Sequence, residues 1–193
     1  MNSPALSEEG EPAKPNFADA ELTLLVCPGS DLSPTLQREI AALCSRAFEI
    51  DYTPYLATFP DPTHVLAFLG KRLASHALWV TRWLQQGHWL LRTAYVEGMV
   101  TEPTLQRRGY GTAVMRRLAQ AVQAYDLGAL STSSVGFYAR LGWELWRGPL
   151  FVRTEQGLKP CPEDRVMVLR LPNTPPLDIE GPLSAEWRPL DVW

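Results

Sequence analysis

Apolar residues recur at helical spacing in a segment that follows a turn rich in glycine and proline. The segment starts at Pro34, directly after Ser33, and a serine followed by proline commonly starts a helix because the serine side chain caps its first turn. Its apolar face consists of Ile40, Leu43, Ala47 and Phe48. The pattern predicts an amphipathic helix from Pro34 to about Phe48.

A second helical stripe lies in the middle of the chain. It consists of Val114, Leu118, Ala121, Val122 and Tyr125. We expect this helix to end near Gly128, since glycine is the usual residue after a helix. The segment SVGFYARLG predicts a further short helix, with Gly142 as its C-terminal cap.

Short runs rich in β-branched and aromatic residues predict the strands. They are residues 21–26, 63–70, 75–85, 88–94 and 94–102, then 129–133, 143–148, 150–154 and 165–171. Turn residues between the early runs predict an antiparallel meander, and the second helix predicts one crossover between strands. We therefore expect a single α+β (α/β-like) domain over residues 21–193, with a mixed, mostly antiparallel sheet flanked by helices. We expect residues 1–20 to form a disordered polar leader.

Composition excludes several classes of protein. The net charge of −3 gives no basis for non-specific binding to nucleic acid. The three cysteines are widely spaced and the three histidines are isolated, so we expect neither a disulfide framework nor a metal site. No apolar run is long enough to span a bilayer. We expect a cytoplasmic protein without a membrane, nucleic-acid or metal partner.

The segment LQRRGYGTAV, residues 105–114, places glycines immediately before the second helix. Gln106, Gly109 and Gly111 fall at a Q-x-x-G-x-G spacing, and Arg107 and Arg108 add positive charge. The unpaired N–H groups at the start of a helix attract anions, so this loop suits a pyrophosphate. The residues alone leave a second possibility open, in which the glycines only shape a turn and the arginines are solvated.

Other motifs decide between these possibilities. The order of the glycine loop and FYARLGW resembles the GCN5-related N-acetyltransferase (GNAT) superfamily, whose Q/R-x-x-G-x-G/A loop holds the pyrophosphate of acetyl-coenzyme A. The segments YVEGMV, LGALSTS, FYARLGWELWRG and DVW further resemble the aminoglycoside 2′-N-acetyltransferases. The resemblance implies the GNAT fold, acetyl-coenzyme A as co-substrate, direct attack in a ternary complex, and a homodimer.

The resemblance also assigns the coenzyme and the catalytic groups. The coenzyme would contact Met99, Val100, Thr101, Arg107, Arg108, Gly109, Tyr110, Gly111 and Thr112. Backbone amides of Met99 and Val100 would pair with its pantetheine arm, and the Val100 N–H would polarise the thioester.

Glu97 would accept the proton of the amine and Tyr138 would protonate the leaving thiolate. Without the resemblance, Glu97 equally fits an edge position or a salt bridge, and Tyr138 fits a helix aromatic that packs under Gly142.

An aminoglycoside carries several ammonium groups, so its pocket should contain carboxylates. The resemblance places the substrate at Asp51, Glu97, Gly98, Ser131, Asp164, Asp191 and Trp193. On composition alone, Asp51 fits a turn cap, and Asp164 and Asp191 fit surface positions.

The chain departs from the family in TPYLATFPDP. Leu56 stands near the place of a second acid, and Asp61 is a weak substitute. The resemblance still implies a small cationic amine as the substrate, and an aminoglycoside antibiotic is the first choice, with acetylation as a means of resistance. An atypical aminoglycoside such as kasugamycin, a polyamine, an amino acid or a protein N-terminus remain alternatives, as does a non-catalytic coenzyme A sensor.

Overall fold

The structure is a computed structural model that describes residues 21–189 and residue 193. The predicted leader, residues 1–20, and Asp191 lie outside the described residues. The strands are β1 (Leu22–Pro28), β2 (Thr63–Leu69), β3 (Arg72–Gln86), β4 (Trp89–Thr101), β5 (Leu127–Ser131), β6 (Glu144–Leu145), β7 (Leu150–Thr154), β8 (Gly157–Pro160), β9 (Val166–Arg170) and β10 (Leu183–Glu186). The helices are α1 (Pro34–Phe48), α2 (Thr53–Leu56), α3 (Tyr110–Ala121) and α4 (Val135–Ala139).

The first predicted helix is confirmed, together with its cap. The Ser33 hydroxyl oxygen accepts a hydrogen bond from the Leu36 N–H at 3.2 Å, and Pro34 occupies the first turn. Ile40 and Leu43 on the predicted face are buried, whereas Phe48 at the end is exposed. The 3.6-residue period therefore identified the buried side of α1 correctly.

The predicted end of the second helix is wrong. Helix α3 ends at Ala121, and Gly128 lies inside β5. A Cβ atom at Gly128 would lie 3.1 Å from Leu169 Cβ and 3.3 Å from the Trp143 ring. Glycine is required there because β5 packs closely against Leu169 and Trp143, and not because a helix ends.

The strands form one mixed sheet in the described part of the chain. Its order is β6-β9-β5-β4-β3-β10-β7-β8, and β2 lies between β1 and the first half of β3. The strands β2 to β4 form the predicted antiparallel meander, β1 pairs with β2 in antiparallel fashion across α1 and α2, and β4 and β5 are parallel across α3. The segments predicted as two strands over residues 88–102 are the single long strand β4, while β8 and β10 were not predicted.

The two faces of the sheet are covered by different elements. Helix α3 packs on one face through Val114 and Leu118, which belong to one buried cluster with Ala77 and Val96 of the sheet. Helix α1 and the C-terminal segment cover the other face. This arrangement leaves one gap in the sheet: β4 pairs with β5 only from Thr93 to Tyr95, although β4 continues to Thr101.

Candidate active site

The gap between β4 and β5 opens into a cleft of about 1530 Å³. Fourteen of the predicted site residues line it: Glu97, Gly98, Met99, Val100, Thr101, Arg107, Gly109, Tyr110, Gly111, Thr112, Ser131, Tyr138, Asp164 and Trp193. Arg108 and Asp51 do not line it. The fold thus brings together residues that are nearly one hundred positions apart in sequence.

A β-bulge in β4 shapes the centre of the cleft. Between His76 and Leu78 of β3, the register of β4 moves from Val100 to Glu97, so that two residues of β4 oppose one of β3. Gly98 has φ of 56°, which glycine adopts without a steric penalty. The extra residue places the side chains of Glu97 and Val100 on the same face of the sheet, although they are three positions apart.

The register also shows which amides face the cleft. The Glu102 N–H donates to Ala74 O at 2.9 Å, so the His76–Val100 pair, two residues along the same ladder, is also a hydrogen-bonded pair. The Val100 N–H therefore points at β3, and the Met99 N–H points away from β3 into the cleft. Of the two amides, the one at Met99 and not the expected one at Val100 is therefore directed towards a ligand in the cleft.

The glycine loop before α3 combines both possibilities that its sequence left open. Gly109 is the N-cap of α3 with φ of 86°, so it does shape a turn. No side chain caps the N–H groups of the first turn, and the residues of that turn, Tyr110, Gly111 and Thr112, line the cleft. Arg107 lines the cleft beside them, and Arg108 is exposed outside it. Uncapped amides at a helix start, with an arginine, fit a pyrophosphate.

Gly111 has a further role that the sequence did not reveal. A Cβ atom at Gly111 would lie 2.6 Å from Met99 Cε and 3.1 Å from Thr101 Oγ1. The absent side chain therefore allows the start of α3 to pack against the far half of β4. The same contact brings the loop amides and the bulge amide into one cleft.

Glu97 is held by an arginine that the sequence analysis did not single out. Its side chain is 17% exposed and forms an ion pair with Arg188, 91 residues away in sequence. The guanidinium carbon of Arg188 also lies 5.5 Å from the centre of the Tyr95 ring. The possibility of a salt bridge at Glu97 is thus confirmed, and the pair faces the cleft rather than the core.

The ring of Tyr95 packs under the guanidinium of Arg188 in this ion pair. Its ring is fully buried, and Arg82 lies over it with Cζ 4.7 Å from the ring centre. Burial, followed by the nearby charge of Glu97, raises the pKa of the Tyr95 phenol. The hydroxyl is therefore neutral, and among the described residues it is one of two buried side-chain polar groups without a hydrogen-bond partner.

Tyr138 lies where the end of α4 meets the cleft. The ring is 7% exposed and contacts Phe137 and Trp143 at centroid distances of 4.9 and 6.1 Å. Burial raises the pKa of Tyr138 to about 12, so its phenol keeps its proton at neutral pH. Its packing role is real, and its protonation state suits a proton donor.

The predicted substrate residues divide into two groups. Ser131, Asp164 and Trp193 line the cleft, and Glu163 and Glu186 add two acids to it. Asp51 is exposed, and its pKa is lowered by a hydrogen bond from the Thr53 hydroxyl and by one from the Thr53 N–H, which lies 3.0 Å from its carboxylate. It therefore braces the turn that leads into α2, which is the turn role that its sequence context had left open.

Aromatic side chains form a wall that the sequence analysis missed. Phe48 and Tyr52 stack at 4.7 Å between ring centres, and Tyr52 and Tyr55 stack at 5.1 Å. Phe59 continues this wall, and all four line the cleft. Aromatic rings beside carboxylates favour a cationic ligand, because ring faces attract positive charge.

Neither a metal site nor a membrane span is found in the part of the chain that the structure describes. No three side chains of histidine, cysteine, aspartate or glutamate are grouped as metal ligands there. No described helix has the length and apolar character required to cross a membrane.

Comparison with known proteins gives the family. A family profile described as an acetyltransferase (GNAT) domain matches residues 32–146, which include β4, the glycine loop and α4. The chain belongs to the GNAT family of acetyltransferases. Enzymes of this family use acetyl-coenzyme A, which is therefore the co-substrate of this GNAT protein.

One relative extends the similarity almost from end to end. An aminoglycoside 2′-N-acetyltransferase of Mycolicibacterium fortuitum is 33% identical over 177 residues, which are 85% of this chain and 88% of the relative.

Solved structures confirm the predicted GNAT fold. The Escherichia coli GNAT protein YhbS in complex with coenzyme A has a TM-score of 0.60 at 14% identity, covering 92% of this chain and 93% of that one. A GCN5-related N-acetyltransferase from Kribbella flavida has a TM-score of 0.58 at 19% identity over 70% of this chain, which spans 36% of that longer protein.

Proposed function

We propose that this GNAT acetyltransferase acetylates the 2′-amine of an aminoglycoside. The observation that carries the proposal is the position of Glu97, whose carboxylate faces the cleft at the bulge of β4. Three other acids line the same cleft, together with the aromatic wall of Phe48, Tyr52, Tyr55 and Phe59. This lining suits a bulky ligand with several positive charges.

The residues divide the chemistry between them. Acetyl-coenzyme A supplies a thioester, whose carbon the neutral amine attacks while the carbon–sulfur bond breaks. Glu97 accepts the proton that the ammonium group must lose, directly or through water, and Tyr138 donates a proton to the departing thiolate sulfur. The nitrogen loses its second proton as the amide forms, and through water this proton restores the Tyr138 phenol. The Met99 N–H stabilises the negative charge that develops on the carbonyl oxygen. No covalent link to the enzyme is needed.

The region around α2 favours an atypical or smaller aminoglycoside. Leu56 packs into the apolar clusters beside the cleft, so no acid occupies that position. Asp61 does not line the cleft and so does not replace it. A typical aminoglycoside would therefore meet fewer carboxylates here than the resemblance implies. A homodimer, a cytoplasmic location and a role in antibiotic resistance stay predictions.

Thiol release from acetyl-coenzyme A tests the proposal directly. The acceptors are pairs of aminoglycosides that differ only in an amine or a hydroxyl at the 2′ position, with kasugamycin and a simple polyamine as further arms. We expect turnover only with acceptors that carry the 2′-amine. Turnover of the 2′-hydroxyl partner at the same rate would overturn the regiochemistry, and turnover of the polyamine alone would overturn the substrate class.

A further inference from the structure

A chain of buried hydrogen bonds reaches the bulge of β4 from β3. His76 is fully buried, and its Nδ1 lies 2.9 Å from Gly98 O. Its other ring nitrogen, Nε2, lies 2.9 Å from Nδ1 of His64, which is also buried. Cys44 Sγ contacts His76 Nδ1 at 3.7 Å. None of these three side chains lines the cleft, and the proposed reaction uses none of them.

The proton positions in this chain follow from the partners. A carbonyl oxygen only accepts, so Nδ1 of His76 must carry the proton that is donated to Gly98 O. Burial lowers the pKa of His76 to about 3, so the ring is neutral at pH 7 and its Nε2 is an acceptor. The Nδ1–H of His64 then donates to that Nε2. Each histidine therefore has one defined tautomer.

The hydrogen bond from His76 fixes the direction of a backbone amide. The Gly98–Met99 peptide is trans, so its C=O and its N–H point in opposite directions. While His76 holds the Gly98 oxygen towards β3, the Met99 N–H must point into the cleft. Gly98 has no Cβ and its φ is positive, so its own backbone does little to restrict this peptide. A side chain is required to hold it.

We propose that His76 is a positioning residue for acetyl transfer: its hydrogen bond to Gly98 O directs the Met99 N–H at the place of the thioester oxygen. The role of that amide rests on the proposed reaction. A donor that is oriented before the substrate binds needs no reorganisation in the transition state, and loss of one such donor lowers kcat by about 10²–10³-fold. Loss of its orientation alone should lower kcat by about 10- to 100-fold, because the amide is still present.

Two variants of equal shape separate positioning from packing. The side-chain nitrogen of asparagine occupies the place of a histidine Nδ1, so His76→Asn retains the donor to Gly98 O. His76→Leu has nearly the same shape and no donor. We expect His76→Leu to lose kcat by about 10- to 100-fold and His76→Asn to retain most of it. Both should bind coenzyme A, which lacks the thioester oxygen, as the wild type does.

The measurements are kcat with the best acceptor, and calorimetric dissociation constants for coenzyme A and acetyl-coenzyme A. His76→Leu should weaken the binding of acetyl-coenzyme A more than the binding of coenzyme A, and His76→Asn should not. Equal losses in both variants, or parallel losses of coenzyme A binding and of thermal stability, would overturn the positioning role.

A second variant, and binding measurements made without an amine acceptor, separate the role of His76 from the proposed function. If His76→Leu does not fold, His64→Leu removes the donor that fixes the His76 tautomer, and we expect a smaller loss of kcat with unchanged coenzyme A binding. An unchanged kcat in His64→Leu would then overturn the proposal. The two dissociation constants need no acceptor, so they decide the role of His76 even if the wild type acetylates no aminoglycoside, the result that refutes the proposed function.

Discussion

The two ends of the cleft are built in different ways. The coenzyme end, defined here as the β4 bulge and the glycine loop before α3, presents backbone amides from Met99 and from residues 110–112. The amine end, defined as Glu97, Arg188 and the residues around Tyr95, presents charged and aromatic side chains. A backbone site tolerates changes of side chain so long as its packing is kept, whereas a side-chain site changes its ligand with single substitutions.

Loss of the Tyr138 hydroxyl tests whether the coenzyme end also contributes a proton. We expect Tyr138→Phe to lower kcat by about 10²-fold, since proton donation by a placed acid contributes at least that much. Coenzyme A binding should not change, because the ring and its contacts with Phe137 and Trp143 remain. Stopped-flow thiol release measures kcat, and an unchanged value would leave Tyr138 with a packing role alone.

The packing of α3 on β4 offers a second test of the coenzyme end. Gly111→Ala places a methyl group 2.6 Å from Met99 Cε, the flexible end of that side chain, and 3.1 Å from Thr101 Oγ1, so we expect a stability cost at the lower end of the range of about 1–3 kcal/mol for overpacking. We also expect coenzyme A to bind more weakly, because the loop amides must move away from the bulge.

Gly136→Ala in α4 is the matched control for that variant. A Cβ atom at Gly136 meets nothing within 4 Å, so calorimetry and chemical denaturation should both match the wild type. A Gly111→Ala protein that binds coenzyme A as tightly as Gly136→Ala would show that the packing of α3 does not set the coenzyme end.

Arg188 sharpens the contrast from the amine end. Its guanidinium forms an ion pair with Glu97, at the carboxylate that an ammonium substrate should contact. We expect Arg188→Gln to lower the KM for the aminoglycoside by a factor of about 3–10, since removal of one like charge contributes about 1 kcal/mol near a protein surface. The dissociation constant of coenzyme A should stay the same.

Arg140→Gln is the control for the loss of charge, because Arg140 lines the cleft next to α4. It should leave the KM for the aminoglycoside unaltered. A higher KM in Arg188→Gln would mean that Arg188 binds the substrate and does not compete with it.

The smallest effect concerns pH. Burial lowers the pKa of His64 to about 4 and that of His76 to about 3, from an unfolded value of 6.5. Above pH 6.5 both histidines are neutral in the folded and in the unfolded chain, so they do not make the free energy of unfolding depend on pH. Below it the unfolded chain binds protons first, and the free energy of unfolding falls by about 1.4 kcal/mol per pH unit for each histidine, down to the folded pKa.

Chemical denaturation between pH 7 and pH 5 measures this slope. We expect the free energy of unfolding of His64→Gln to fall less steeply with falling pH than that of the wild type, by the contribution of one histidine, about 1.4 kcal/mol per pH unit. His88→Gln, at an exposed histidine, should keep the wild-type slope. Equal slopes in all three proteins would contradict the neutral, buried pair.

The same contrast explains what the sequence could predict. The coenzyme end lies in a continuous stretch of chain, so the glycine spacing, the helix that follows and the strand before it were all visible as local patterns. The amine end depends on contacts such as Glu97 with Arg188, and nothing in the local pattern of a four-residue strand such as β10 shows where it will carry Arg188.

Errors in the prediction have the same physical origin. Gly128 was interpreted as a helix end because glycine commonly follows helices, but its reason is a contact with Leu169 and Trp143. The role of His76 could not be predicted either, because its contact with Gly98 depends on a bulge that the alternating pattern of β4 does not reveal.

The most direct test of the account is a Glu97→Gln variant measured on one sample for both ends of the cleft. Calorimetry gives the dissociation constant of coenzyme A, and thiol release gives turnover with an aminoglycoside that carries a 2′-amine. We predict unchanged coenzyme A binding and a loss of turnover of about 10²–10⁴-fold, the usual contribution of a general base. Wild-type turnover in this variant would contradict the assignment of Glu97, and lost coenzyme A binding would contradict the separation of the two ends.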